Sequence, residues 1–150
     1  MKTLIIGLGN PILGDDGVGW AVAEKLIPLT NTEIEKLSLG GLSLMERISG
    51  YERVILIDAL QTGKMPIGTV SVFPLKELPN PFSGHSASAH DTSLLTALET
   101  GRRLGVPLPN EDEIMVVAIE AENVYDFSEE LSPAITKAIP IAVEKVKALL

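Results

Sequence analysis

The order of apolar and polar residues along the chain predicts an α/β fold. Apolar runs such as "KTLIIGLG", "RVILIDAL" and "EIMVVAIE" alternate with helix-like stretches. These runs are apolar almost throughout, as in the strands of a parallel sheet that helices cover on both faces. We therefore predict a three-layer αβα sandwich that forms one domain over residues 1–150. Two further strands are predicted in "TEIEKLSL" and "GTVSVFPL", and helices over residues 16–27, 42–48, 91–104 and 132–150.

Prolines and small residues modify this pattern in the second half of the chain. Ser132 followed by Pro133 predicts a helix start, with a capping serine and proline at the first helical position. Pro140 inside that helix removes a backbone donor and predicts a kink near residues 136–140, or two shorter helices. The segment 75–89, "LKELPNPFSGHSASA", predicts a long loop, and such loops in compact domains are often functional.

Composition restricts the classes of partner. Twelve Lys and Arg against twenty Asp and Glu give a net charge of -8, and no basic block could neutralise a phosphate backbone, so we expect no nucleic-acid partner. No apolar run approaches the roughly 20 residues of a membrane span. Without a signal-peptide layout at Met1, we expect a cytoplasmic protein. Because cysteine is absent, any metal would be held by oxygen and imidazole.

The glycine-rich turn "GLGNPILGDDGVG", residues 7–19, resembles a phosphate loop but lacks its chemistry. Ile12 stands where a dinucleotide fingerprint has its third glycine, and no Gly-Lys-Ser/Thr closes a P-loop. Asp15 and Asp16 supply the negative charge that the following helix start favours. One of them can cap the helix. The other would point out of the turn above the carboxyl ends of the strands, where ligands bind in open α/β sheets.

A second aspartate and a histidine are predicted at the same rim. Asp58 ends the buried strand "RVILID", so it either caps the next turn or holds a positive group. His90 precedes a predicted helix, with His85 as an equally available alternative five residues earlier. Together, Asp16, Asp58 and His90 would form an open three-ligand site suited to Ni, Zn, Mn or Fe(II). Such an ion polarises a carbonyl and lowers the pKa of a bound water.

These motifs resemble those of the hydrogenase maturation proteases, which trim the C-terminus of the large subunit of nickel-iron hydrogenases. The resemblance runs from "GLGNPILGDDGVG" through "LIDAL" and "AHDTSLL" to "SPAITKAIPIAVEKV". It implies a twisted, mostly parallel sheet of about five strands between helices. It also implies that Asp16, Asp58 and His90 are the catalytic, metal-contacting residues. The metal would be the nickel of the hydrogenase precursor, the expected partner, and not a permanent cofactor. We expect the protease to be a monomer.

One segment departs from that family's pattern. Members often carry D-G-G-T-x-G-M-E after the second strand, whereas this chain has "LGGLSLME", residues 39–46. The loop borders the expected site, so the particular hydrogenase stays open. Gly40 and Gly41 themselves are interpreted as a plain turn. We expect Asp15 to cap a helix or to orient a ligand, and Glu120 is only a guess for handling protons.

Three other functions compete with the protease. A peptidyl-tRNA hydrolase also opens with a strand and G-L-G-N-P, but the two aspartates of the turn and the net charge of -8 disfavour tRNA. A nickel-binding accessory protein could use the same ligands without hydrolysing anything. A serine hydrolase using Ser83, Ser86 or Ser88 is the weakest alternative, because no G-x-S-x-G elbow is present and these serines fit a loop.

Overall fold

The computed structural model describes the backbone of residues 2–78 and 86–150, and the side chains of residues 2–78 and 94–150. In this part of the chain, strands and helices alternate largely as the apolar pattern predicts. The strands are β1 (Thr3–Leu8), β2 (Glu33–Leu37), β3 (Arg53–Leu60), β4 (Val70–Pro74) and β5 (Ile114–Glu120). The α-helices are α1 (Val18–Leu26), α2 (Gly41–Ile48), α3 (Ser86–Arg103) and α4 (Pro133–Leu149).

The strands form one sheet in the order β2-β1-β3-β5-β4. The first four of these are parallel to one another, and β4 is antiparallel to β5. From β1 the chain moves outward to β2, whereas from β3 it moves toward the opposite side of the sheet. The topological switch point, where open α/β sheets bind ligands, therefore lies between the carboxyl ends of β1 and β3.

Helices cover both faces of the sheet, which explains the continuous apolar strands. Side chains alternate along β3: Ile55 and Ile57 pack with α1 and α4, whereas Val54 and Leu56 pack with α2 and α3. The predicted three-layer αβα sandwich with a mostly parallel five-stranded sheet is confirmed. Among the described residues, no helix is long and apolar enough to cross a membrane.

Several element boundaries differ from the prediction; α1, for example, begins at Val18, after a 3-10 turn over Gly14–Gly17. Helix α3 begins at Ser86, so residues 86–89 of the predicted 75–89 loop are helical; residues 79–85 lie outside the described part. Its first turns are small residues, whose helix propensity no apolar periodicity reveals. The run "RVILIDAL" coincides with β3, but Asp58 does not end the strand, because Ala59 and Leu60 are buried and pair with the end of β5.

Helix α4 starts as predicted, with Ser132 at the N-cap position and Pro133 inside the first turn. It runs without interruption through Pro140, so the alternative of two shorter helices is wrong. A proline removes one helical hydrogen bond. Here Ile139 and Val143, on either side of Pro140 along the buried face, pack into the core with α1 and hold the helix together.

Candidate active site

The turn after β1 carries Asp16 to the switch point. It is a 3-10 turn, Gly14–Gly17, that joins β1 to α1. Asp16 is 5% exposed, and its carboxylate Oδ2 accepts a hydrogen bond of 2.9 Å from the Asn10 N–H. Gly9 has a φ of +136°, and a Cβ there would lie 2.0 Å from the Asp16 carbonyl oxygen. Only glycine therefore lets the turn fold back this closely.

A close contact of α1 with the sheet fixes where this turn stands. A Cβ at Gly19, in the first turn of α1, would lie 2.4 Å from the carbonyl oxygens of both Leu8 and Ile57. The helix backbone thus rests directly on β1 and β3 at their carboxyl ends. Gly19 serves the packing purpose of the third glycine of a dinucleotide fingerprint, whose place Ile12 occupies here.

Asp58 lies on the other side of the switch point. It follows Ile57, which pairs with Gly7 of β1, and it is 2% exposed. Asp58 has the same strand phase as Leu56 and Leu60, whose side chains face α2 and α3. Buried carboxylates therefore flank the crevice between β1 and β3, one in the turn after β1 and one near the end of β3.

The third predicted ligand lies in α3. His90 precedes the buried Leu94 by four residues in this helix, but its side chain lies outside the described residues, as does the whole of His85. Among the side chains that the structure describes, no three acidic or histidine residues form a metal-binding group. The site of Asp16, Asp58 and His90 therefore stays a prediction.

Asp15 anchors a distant helix instead of capping its own. Asp15 is 1% exposed, and its carboxylate accepts two hydrogen bonds from Ser132, one from the N–H at 2.7 Å and one from the hydroxyl at 2.6 Å. The Asp15 N–H donates to the carbonyl of Asn123 at 2.7 Å. Ser132 holds the N-cap position of α4, yet its hydroxyl bonds Asp15 and not the helix. Asp15 thus ties the turn that carries Asp16 to the start of α4.

Glu120 ends β5 and holds the loop after β3. Glu120 is 1% exposed, and its carboxylate accepts hydrogen bonds from the Thr62 N–H (2.9 Å), the Thr62 hydroxyl (2.7 Å) and the Gly63 N–H (3.0 Å). These three bonds favour a structural role over the guess of proton transfer. The sequence signal for this role, an acid ending a buried strand, is the same one that singles out Asp58.

The loop after β2, in which the family motif departs, does border the Asp16 turn. The Gly9 N–H donates to the Leu37 carbonyl at 3.1 Å, and the Ser38 hydroxyl donates to the Gly9 carbonyl at 2.5 Å. Gly41 has a φ of +55° at the first position of α2, which supports the interpretation of Gly40 and Gly41 as a turn.

The molecule is thus an α/β sandwich with buried carboxylates on both sides of its switch point. The chain belongs to the hydrogenase maturation protease family, whose sequence model (HycI: Hydrogenase maturation protease) matches residues 24–148.

Relatives from bacteria and archaea agree with this assignment. Hydrogenase 2 maturation protease of Escherichia coli is 27% identical over 154 residues, covering 100% of this chain and 91% of that protein. The structure of the E. coli hydrogenase maturating endopeptidase HybD is similar with a TM-score of 0.81 at 26% identity, covering 100% of this chain and 92% of that one. The [NiFe] hydrogenase maturation protease HybD of Thermococcus kodakarensis gives a TM-score of 0.79 at 28% identity, covering 99% of each chain.

Proposed function

We propose that this protein is an endopeptidase that removes the C-terminal peptide of a nickel-loaded nickel-iron hydrogenase large-subunit precursor. The observation that carries the proposal is the pair of buried carboxylates, Asp16 and Asp58, at the switch point of a chain in the maturation protease family. The name of the T. kodakarensis relative adds the [NiFe] class of hydrogenase. A peptidyl-tRNA hydrolase has no comparable support.

The substrate would bring the metal, and this chain would bring the ligands. Asp16 and Asp58 would supply oxygen donors, and His90 of α3 would supply the imidazole. A carboxylate, a second carboxylate and an imidazole suit a divalent nickel ion. The burial of the two carboxylates lowers the local dielectric and strengthens their attraction for the cation.

In the proposed reaction the precursor docks so that Asp16, Asp58 and His90 complete the coordination of its nickel. The nickel would polarise the scissile carbonyl and lower the pKa of a bound water. That water adds to the carbonyl carbon, the C–N bond breaks, and the products are a new C-terminal carboxylate and the amine of the released peptide. The three ligands fix the precursor relative to the ion, which turns recognition of nickel into selection of the cleavage site.

Mass spectrometry of a large-subunit precursor before and after incubation tests this function. We expect one cut near the C-terminus of nickel-loaded precursor and none in nickel-free precursor, even with the enzyme in excess. The same purified precursor, divided and loaded with nickel in one half only, is the matched control. Equal cleavage of both halves would refute the substrate-metal mechanism. Tight nickel binding by this protein without cleavage of either half would instead favour an accessory protein.

A further inference from the structure

We infer that the precursor docks on an exposed apolar surface beside the Asp16 turn, through a segment that combines an apolar side chain with a lysine or arginine. This inference rests on the proposed function and names the surface that selects the partner. The surface, called the docking face below, has two exposed apolar side chains, a small cleft and an acidic rim. Its members are Pro11, Ile12, Trp20, Phe127, Glu129 and Leu131.

The exposed apolar part of the docking face is fixed to the candidate site. Phe127 is 85% exposed and Ile12 is 47% exposed. The neighbouring Ser128 donates its N–H to the Ile12 carbonyl at 2.9 Å and accepts from the Gly14 N–H at 2.8 Å. Phe127 thus projects from a loop whose backbone is paired with the segment leading into Asp16. Aromatic side chains held in this way are typical anchors of protein interfaces.

The cleft next to these residues has a volume of about 180 Å³. It is smaller than the ~300–1,000 Å³ of pockets that hold small molecules, and therefore suits one side chain. The Trp20 ring is held by a hydrogen bond of 3.1 Å from its indole N–H to the Leu37 carbonyl. Pro11 packs on Gly17, the residue after Asp16, where a Cβ would lie 2.9 Å from the Pro11 Cα. The wall of the cleft is therefore the outer side of the Asp16 turn.

The acidic residues of the docking face favour a basic side chain in the cleft. The segment 121–131 contains no lysine or arginine, and its four acidic residues are exposed; none of them forms an ion pair with a described side chain. One of the four, Glu129, lines the cleft. Glu24 also lines it but is paired with Lys36 at 2.9 Å. The Lys36 ammonium lies 5.6 Å from the centre of the Trp20 ring, so Trp20 already contacts one cation. The exposed Phe127 ring and the Glu129 carboxylate are the groups that would bind a lysine or arginine side chain by cation–π and ionic contacts. The four acidic residues are Glu122, Asp126, Glu129 and Glu130.

The single tryptophan of the chain makes this surface observable. Protein labelled with 5-fluorotryptophan has one ¹⁹F resonance, from Trp20 in the cleft, and unlabelled nickel-loaded precursor is titrated into it. We expect the resonance to shift on binding. We also expect the Kd to rise as salt is added, because ionic contacts at a surface are screened.

Two variants test the anchor and the charge. Phe127→Ala and Glu129→Lys should each raise the Kd and the KM for precursor about tenfold with little change in kcat, as when ground-state and transition-state binding are lost equally. Leu104→Ala is the matched apolar control, since Leu104 is 78% exposed and lies between α3 and β5 at the opposite edge of the sheet. Glu144→Lys, in the second half of α4, is the charge control; it also removes a surface ion pair with Lys147 at 3.1 Å, which contributes little to stability. All four should keep the wild-type Tm, because all four side chains are exposed.

The outcomes separate this inference from the proposed function. If both test variants cleave the precursor with wild-type Kd and KM, the inference about the docking face is refuted, whereas the proposed protease function is not affected. Binding of precursor without a change in the Trp20 resonance would refute the docking face as well. Absence of cleavage by the wild-type protein on nickel-loaded precursor would overturn the proposed function itself. A loss of affinity that the two control variants share would show a general effect of charge or apolar area, and would also refute the inference.

Discussion

Among the side chains that the structure describes, four buried carboxylates lie at the carboxyl edge of the sheet, and they fall into two regions with different purposes. Asp15 and Glu120 are structural: their oxygens accept two and three hydrogen bonds from segments far away in the chain. Asp16 and Asp58 instead flank the switch point between β1 and β3. Burial of an acid therefore does not identify a catalytic group. Hydrogen bonds to distant segments indicate a structural role for Asp15 and Glu120, and the place of Asp16 and Asp58 at the strand ends is the reason for proposing them as ligands.

The largest expected effect comes from the pair at the switch point. Asp16→Asn and Asp58→Asn keep the shape of each side chain but remove the negative charge that would bind nickel. We expect each to lower processing of nickel-loaded precursor more than about 100-fold. Rates are measured by mass spectrometry of the released peptide. A wild-type rate for either variant would remove that residue from the proposed site.

Of the two histidine variants, only one should lower processing as much as the aspartate variants do. His90→Ala should abolish processing, because it would remove the only imidazole of the proposed ligand set, whereas His85→Ala should retain activity. The same peptide-release assay compares them, with circular dichroism as the control for folding. Equal losses in both variants would show that the segment as a whole matters, and not one ligand.

Glu120 tests the structural region. Glu120→Ala leaves the Thr62 and Gly63 donors without their carboxylate, and a typical hydrogen bond contributes about 1 kcal/mol to the free energy of unfolding. We expect a loss of about 3 kcal/mol in the free energy of unfolding, measured by urea denaturation. The folded fraction should process precursor at nearly the wild-type rate. A stable but inactive variant would instead favour a role for Glu120 in proton transfer.

Of the two structural carboxylates, Asp15 should contribute less to the free energy of unfolding, since it accepts two hydrogen bonds whereas Glu120 accepts three. Asp15→Ala should cost about 2 kcal/mol of unfolding free energy in the same urea experiment. Because Asp15 orients the turn that carries Asp16, we expect processing to fall no more than about tenfold. Ser132→Ala, which removes only the hydroxyl donor, should fall between this variant and the wild type in stability. If Asp15→Ala lost as much activity as Asp16→Asn, the division between the two neighbours would be wrong.

The sequence predicts those features that depend on local pattern. Runs such as "RVILIDAL" indicate buried parallel strands, and the Ser132-Pro133 pair marks the start of α4. The first and last residues of helices and strands are harder to predict, because small residues such as Ala87 and Ala89 form no apolar periodicity that would mark a helix. The early start of α3 and the extension of β3 beyond Asp58 follow from helix propensity and from pairing with β5.

Contacts between distant segments could not be predicted from local pattern. The residues around Asp15 do not predict its contact with Ser132, which is 117 residues away, and those around Glu120 do not predict its contact with Thr62. The docking face likewise combines residues 11–20 with residues 127–131 across the fold. The sequence therefore identifies Asp15 and Asp16 as a pair, while the tertiary contacts distinguish the anchor from the candidate ligand.

The bond between Asp15 and Ser132 also sets an order of events during synthesis. The turn that carries Asp16 emerges early, but its anchor is made 117 residues later. At roughly 5–20 residues per second, a ribosome needs on the order of ten seconds to cover that interval. A nascent chain that has not yet released α4 lacks the contact that closes this turn. The contact between Asp15 and Ser132 is therefore among the last that the turn carrying Asp16 can acquire as the chain is made.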